Sequence, residues 1–496
     1  MFNGRATPKR FLRAAALLLL AASCARAQEG DLASSAGVFI EPTRARPAAA
    51  APRVRRTPQR TTPRRARSKP PATNTAANNT TNANNTTKPT KGRNNTPPPV
   101  TAESLNAKAE AAIDAGRFDV AAEQSREALK LKPDNPDANY NLGFALYSLG
   151  LMADAVGPLQ RAAQLDATDP DAPFYLGAAL AKLGRHAESA AAYEQAARLT
   201  PKNAELLSAL GGEYEAAGDA DHAIGAFRRA AQLTPDDTDT QFDLGEALYA
   251  KGSYKEAAEA FAQVTRVTQS NAEAFENLGD SYRALNRLGD AAAAWRDAAR
   301  LKPGDADLLL KLGFALGREK RWLEAIDALK KAAALRPGAG EAEVNLAWVY
   351  NNTGQYRLSI ETLKPVVASK PEMTAALFNL GTAYGHLAQK GAQNDKERKQ
   401  LFEQAVDTLQ KVIRLKPDWP EAHNNLGVAL GNLGRYKEAI AEHAEAARLK
   451  PDYGFAIFNL AYAYRKNGDK KKALETYKQL QAVNPALAER LYPLVK

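Results

Sequence analysis

One cysteine, Cys24, is all that the 496 residues contain. No disulfide can close within a single chain, so whatever folds must stand on packing. Histidine is almost as scarce, with His186, His222, His386, His423 and His443 and no close pair on one helix face. That removes the spacing a zinc site or a metalloprotease helix would need. Also missing are the GxxxxGK[ST] phosphate loop, a GxGxxG turn after a strand, the GxSxG elbow and HExxH. The apolar run Ala14–Ala22 falls short of the roughly 20 residues that span a bilayer. These gaps argue against an enzyme, a metal and a cofactor.

Acidic residues are lacking in one part only. Residues 1–100 hold 18 Lys and Arg against 3 Asp and Glu, whereas 101–496 hold 49 against 53. The net charge of +11 therefore describes the N-terminal fifth. Within it, Arg5, Lys9, Arg10 and Arg13 precede Ala14–Ala22, and Ala25-Arg26-Ala27 follows. That layout reads as a signal peptide over 1–27, which implies export. Ala21-Ala22-Ser23-Cys24 resembles a loose bacterial lipobox, so Cys24 is a candidate for lipidation and a membrane anchor. The expected location is the periplasm or the outer membrane of a bacterium, with secretion as the alternative.

Large apolar residues are sparse over residues 28–100. Arg44 to Lys69 carries ten basic residues among Pro and Ala, and Asn74 to Thr96 is an Asn/Thr tract closed by Pro97-Pro98-Pro99. Such a composition cannot bury enough apolar surface to offset ordering entropy, so 28–100 is expected to be a disordered basic leader.

What the chain has in abundance is a period. Prolines recur every 34 residues at Pro133, Pro201, Pro235, Pro303, Pro337 and Pro371, with Ala167 and Gln269 standing in register where the proline is missing. The series resumes at Pro417, Pro451 and Pro485. Eleven units start near Ala102, Pro136, Pro170, Ala204, Thr238, Ala272, Ala306, Gly340, Thr374, Pro420 and Gly454. Their eighth residue is Gly or Ala, and their twentieth, counted past the twelve extra residues of the ninth unit, is Ala or Ser. Small residues at these places let two antiparallel helices approach closely, with Leu142, Tyr193, Phe227, Phe261, Trp295 or Tyr477 filling the space around them. Position fifteen is glycine in eight units, where the first helix must stop and turn. The terminal proline ends the second.

This pattern resembles the tetratricopeptide repeat family over about 102–487. The resemblance implies an all-α, right-handed α-α superhelix, a solenoid behind its leader. The expected organisation is eleven repeats over 101–487, an insertion near 389–400 extending a turn in repeat nine, and a capping helix over 488–496. Pro158 and Pro365, inside second helices, are expected to kink them.

In this family the first helices line a concave groove through positions two, five, six, nine, twelve and thirteen of each unit. Position six is Asn141, Asn277, Asn345, Asn379, Asn425 and Asn459, the last four in consecutive repeats. An amide side chain offers an acceptor and two donors, so a row of them can grip an extended backbone whatever its sequence. The row is similar to the asparagine ladder in the tetratricopeptide half of O-linked N-acetylglucosamine transferases, whose transferase half is absent here. Phe378, Phe458 and Trp348 are expected to face the same groove. Position two is acidic in nine units, which suits helix N-termini and would also form a rim attracting basic segments.

The expected function is an exported, non-catalytic scaffold binding peptide segments or partner proteins along the groove. No nucleic acid is expected for the array. The alternative is envelope tethering, or binding of nucleic acid, polysaccharide or anionic lipid, through the basic leader.

Overall fold

A computed structural model describes residues 38–41 and 100–496. The expected signal peptide, Cys24 and the basic stretch Arg44–Lys69 lie outside the described residues. Among those described are 23 α-helices and no strand. They pair as antiparallel hairpins, such as Pro136–Ser148 with Met152–Leu165 and Ala272–Ala284 with Leu288–Leu301.

Local chemistry sets the ends of each hairpin. Asn135, Asn203 and Asn271 cap first helices, each side chain accepting a backbone N–H three residues on, and Asp305 does the same for Leu308. The first helix is then closed by a residue in the left-handed region, which a Cβ disfavours. Glycine fills that place in most repeats, for example Gly252 at φ 84° and Gly434 at φ 77°. In repeats six and seven Asn286 and Lys320 take it instead, at φ 57° and 59°. Asparagine tolerates this conformation, whereas lysine adopts it at a cost of about 1 kcal/mol or more.

The two small positions act together between the helices. All eleven residues at position twenty, from Ala121 to Ala473, have no exposed surface. A Cβ added at position eight would lie 2.6 Å from the Tyr193 ring at Gly177, 2.6 Å from Phe227 at Gly211 and 2.5 Å from Trp295 at Gly279. It would lie 2.5 Å from Leu329 at Gly313 and 2.6 Å from His443 at Gly427. Glycine on one helix therefore receives a bulky side chain from the other, the same contact repeated with different fillings.

The described residues form two compact units, 100–269 and 38–41 together with 270–496. The division falls at Gln269, which stands where a repeat proline is expected. The first unit holds five hairpins around cores that include Tyr140, Leu146, Leu159, Phe174, Tyr193 and Leu207. The second holds six hairpins and a last helix, Pro485–Val495, whose Leu487, Leu491 and Val495 pack with Ile457, Phe458 and Leu480.

Repeat nine differs from its expected form. The added residues do not extend a turn; they lengthen both helices, to Thr374–Lys390 and Asp395–Leu415, leaving only residues 391–394 between them. Asn394 caps the second of these helices through the Glu397 N–H, and Arg357 holds the Glu397 carboxylate at 2.9 Å. The charged insertion thus contains its own helix start. Pro158 and Pro365 lie within the continuous helices Met152–Leu165 and Tyr356–Ser369.

These contacts make opposite demands on glycines of the same helical pattern. Gly279→Ala pushes a methyl group into Trp295 and should destabilise the protein by about 1–3 kcal/mol. Gly225→Ala, mid-helix with nothing within 4 Å of the new methyl, should stabilise it by about 0.5–1 kcal/mol. Thermal unfolding followed by circular dichroism reads both; equal effects would contradict the packing account.

Candidate peptide-binding groove

Repeats six to nine contribute first helices Ala272–Ala284, Ala306–Arg318, Glu341–Asn352 and Thr374–Lys390. Because an α-helix returns to one face every three to four residues, positions six, nine and twelve or thirteen of each share a face. That face holds a segment of the chain itself, Val38–Glu41.

Two of the asparagines grip its backbone. Asn379 Oδ1 accepts the Val38 N–H at 2.6 Å, and its Nδ2 donates to the Val38 carbonyl at 2.8 Å. Asn345 repeats the arrangement with Ile40, accepting at 2.7 Å and donating at 2.9 Å. Each amide thus engages one residue at two points, as a neighbouring strand would. Both asparagines are fully buried, so water does not compete for these bonds. The amides are themselves steadied: Asn379 Nδ2 also reaches the Val344 carbonyl at 3.3 Å, and Asn351 Nδ2 donates to the Asn379 carbonyl at 3.1 Å.

Side chains are met as well as backbone. The Phe39 ring stacks between Trp348, at 4.4 Å between centroids, and Phe314, at 4.9 Å. Gly317 lies against the same ring; a Cβ there would come within 2.9 Å of it. Val38 and Ile40 are half-buried and pack beside the core that contains Phe378 and Leu380. Glu41 pairs with Arg283 at 2.6 Å.

The other expected site residues are placed differently. Asn425 donates to Thr382 Oγ1 at 3.1 Å, and Asn459 to Asn424 Oδ1 at 3.0 Å. Asn459 also lines a cavity of about 250 Å³ with Asn432, Tyr462, Lys466 and His443. Asn277 is buried in repeat six, and Ser281 donates to its carbonyl. Asn141 belongs to the first unit and donates to Asn106 at 2.8 Å, near the clustered rings of Phe144, Tyr147 and Tyr175.

Two expectations are corrected. Phe378 does not face the groove: it is 2% exposed and stacks on Trp419 at 4.4 Å. Phe458 is 1% exposed, in the core under the last helix. Position five points between helices here, so an aromatic side chain there fills core. The expectation of disorder over 28–100 also fails at 38–41, where a run of three large apolar residues has a surface to cover. That run, Val38-Phe39-Ile40, holds the only aromatic residue between 28 and 100. It is the signal by which sequence reasoning could have found the segment. Phe314 and Gly317 of repeat seven and Arg283 of repeat six stand outside the four consecutive asparagine-bearing repeats, and no sequence signal singles them out.

In repeat seven, position six is Lys311, which interrupts the asparagine row. Its ammonium is buried and donates to Glu276 at 2.7 Å and Asp280 at 3.2 Å. Burial works against that charge, but the two carboxylates outweigh it and raise the lysine pKa. Three of the acids at position two are engaged locally. Asp307 accepts from Arg336 at 2.7 and 2.8 Å, Glu421 meets Lys450 at 3.6 Å and Glu103 meets Lys132 at 3.8 Å.

Among the described residues no group of three His, Cys, Asp or Glu side chains could hold a metal, and no helix is long and apolar enough to cross a membrane. The buried histidines are packing elements. Burial, with the Lys390 charge adding to it, holds His386 down to about 4, stacked on Tyr356. Burial alone pushes His443 to about 3. His423 goes the other way: burial opposes its charge, but Glu442 at 2.6 Å and the Pro417 carbonyl at 2.8 Å outweigh it, raising its pKa.

Family models of the repeat agree with this architecture. Family models described as tetratricopeptide repeat match residues 276–340, 318–384, 420–453 and 455–486, and one described as TPR repeat matches 399–434. The model for the cilia and flagella-associated protein 70 C-terminal domain matches 102–278. No curated protein matches the sequence. Among solved structures, Naa15/Naa10 bound to HypK-THB is similar at 13% identity and TM-score 0.42, covering 76% of this chain and 68% of that one. The APC/C hetero-tetramer Cut9-Hcn1 is similar at 15% identity and TM-score 0.38, covering 79% and 96%. A thermophilic tetratricopeptide protein of Thermus thermophilus is similar at 25% identity and TM-score 0.33, covering 38% and 99%.

The histidines give a signed pH dependence. His386 and His443 stay neutral in the folded chain while their unfolded forms protonate near pH 6.5. Stability should therefore fall as pH drops from about 6.5 toward 4, by about 2 kcal/mol for each at pH 5. His423, with its raised pKa, contributes fully below pH 6.5 and loses its contribution as pH rises through its folded value, so it does not reverse this slope. His443→Leu, the residue in that slot at Leu159, Leu329 and Leu409, should lessen the drop in Tm between pH 7 and pH 5. An unchanged drop would remove His443 as a cause.

Proposed function

Since this chain belongs to the tetratricopeptide repeat family, we infer that it is a scaffold holding extended peptide segments of partner proteins in the groove of its first helices. The observation that carries this is the two-point grip of Asn379 and Asn345 on alternate backbone residues. A grip on N–H and C=O groups is indifferent to side chains, which suits a surface meant for peptides. The stacked slot between Phe314 and Trp348 adds selectivity. The chemistry on offer is recognition, with catalysis left to partners.

The setting of that role is export. The basic n-region, the apolar run and the Ala25-Arg26-Ala27 site support passage across a bacterial inner membrane. Intact mass of the mature protein distinguishes its outcomes. A start at Gln28 makes it a diffusible periplasmic or secreted protein, a lipid-bearing Cys24 makes it membrane-anchored, and an uncleaved Met1 overturns export.

The groove is tested with the full chain in which residues 38–41 are replaced by Gly-Ser-Gly-Ser. A displayed library of random octapeptides should yield binders whose affinity falls about tenfold or more when Asn345→Ala and Asn379→Ala are added, each lost hydrogen bond contributing about 1 kcal/mol. Binders indifferent to both substitutions would place peptide recognition elsewhere.

A further inference from the structure

We propose that Val38–Glu41 is a ligand the chain supplies to its own groove, and that the partner replacing it is an extended segment of aliphatic–aromatic–aliphatic–acidic order. The proposal rests on the groove being a peptide site and names both its regulation and its ligand.

The register comes from the hydrogen bonds. Val38 meets repeat nine and Ile40 meets repeat eight, so the ligand advances two residues per repeat and runs from repeat nine toward repeat six. Alternate residues of an extended chain point to the same side and are roughly 6.6 Å apart, which is the geometry these paired amides read. Between them Phe39 faces the array and enters the slot of Phe314, Trp348 and Gly317. Two residues further on, Glu41 meets Arg283 of repeat six. Backbone, aromatic and charge contacts thus define one motif and one direction.

The slot is selective by size and shape. Two flat rings on either side admit a third ring, and Gly317 leaves the space that any side chain would close. The charge contact selects against a basic residue at the last position. It runs opposite to the expected acidic rim, since here the array supplies the cation and the segment the anion. Toward the peptide's N-terminal side the row continues with Asn425 and Asn459, and the cavity lined by Asn432, Tyr462 and Lys466 lies there. A ligand whose residues before the aromatic group reach this cavity adds contacts to those made by Val38–Glu41.

A segment carried on the same chain competes at an effective concentration on the order of millimolar, where a free peptide competes at its own concentration. Weak partners are excluded, and a partner that matches the motif and extends it displaces the resident segment.

The probe is a fluorescein-labelled octapeptide of residues 36–43, Ala-Gly-Val-Phe-Ile-Glu-Pro-Thr. Its binding by anisotropy is compared among the full chain, the full chain with residues 38–41 replaced by Gly-Ser-Gly-Ser, and the replaced chain with Asn345→Ala and Asn379→Ala. The replaced chain should bind at least about tenfold more tightly than the unaltered one, and the added substitutions should abolish that gain. Phe39→Asp alone, a change that leaves every repeat residue in place, should release the groove in the same way. Peptides carrying Phe39→Ala or Glu41→Lys should bind the replaced chain at least about tenfold more weakly. Equal affinity of the unaltered and replaced chains would overturn self-occupancy while leaving a peptide groove in place. Absence of binding to every form would overturn the groove reading as well. An unaltered chain that gains affinity on dilution would show the segment lent to a second copy, overturning its assignment to the same chain.

Discussion

Close approach between the two helices of each repeat is the constraint on which the rest depends. Where a glycine receives Tyr193, Phe227, Phe261, Trp295 or Leu329, the helices come near enough that only a bare Cα fits at the contact. Each hairpin then offers its neighbour the same surface, so hairpins can stack within a unit without any one of them closing a core alone. The bulky residue varies from ring to isobutyl to imidazole because the slot asks for volume and not for chemistry. His443 shows the limit of that tolerance. It fits the space over Gly427 but leaves its Nδ1 without a partner among the described residues, so the slot is filled at the expense of stability in acid.

Committing one side of the first helix to this contact leaves the other side available. Position eight faces the second helix, while six and nine turn toward the groove, since each residue advances the helix by about 100°. The asparagines are buried yet present their amides to a ligand because the repeats on either side cover their stems. Asn345 and Asn379 are held in that state by the same stacking that buries Ala347 and Gly381. The groove is therefore a by-product of packing, and its chemistry is free to differ from repeat to repeat. Lys311 uses that freedom by tying repeat seven to Glu276 and Asp280, where repeats eight and nine grip peptide backbone.

How much of this was legible follows from what the sequence repeats. The period, the small residues at positions eight and twenty and the turn glycines were readable because eleven copies state them in one register. Trp348 was readable because position nine looks into the groove. Phe378 and Phe458 were misplaced because position five alternates among Glu276, Leu310, Phe378 and Asn424, a mixture that hides its inward aim. Repeat nine was misread because a charged, glutamine-rich insertion looks like a solvated turn. The cap at Asn394 and the clasp of Arg357 on Glu397 instead convert most of it to helix.

The segment 38–41 was the hardest to read, and the reason is physical. Its fate is not decided locally: three apolar residues between polar stretches cannot fold on their own, and composition alone predicts disorder. What orders them is a surface far away in sequence, |i−j| being 305 for Ile40 with Asn345 and 341 for Val38 with Asn379. Only the groove's own chemistry, two amides, two rings and a guanidinium in a row, gives Val-Phe-Ile-Glu a meaning. A leader that merely spaced the array from a membrane would have no need of such a motif. A leader that carries a ligand for its own array does, and this sets the affinity any outside partner must exceed.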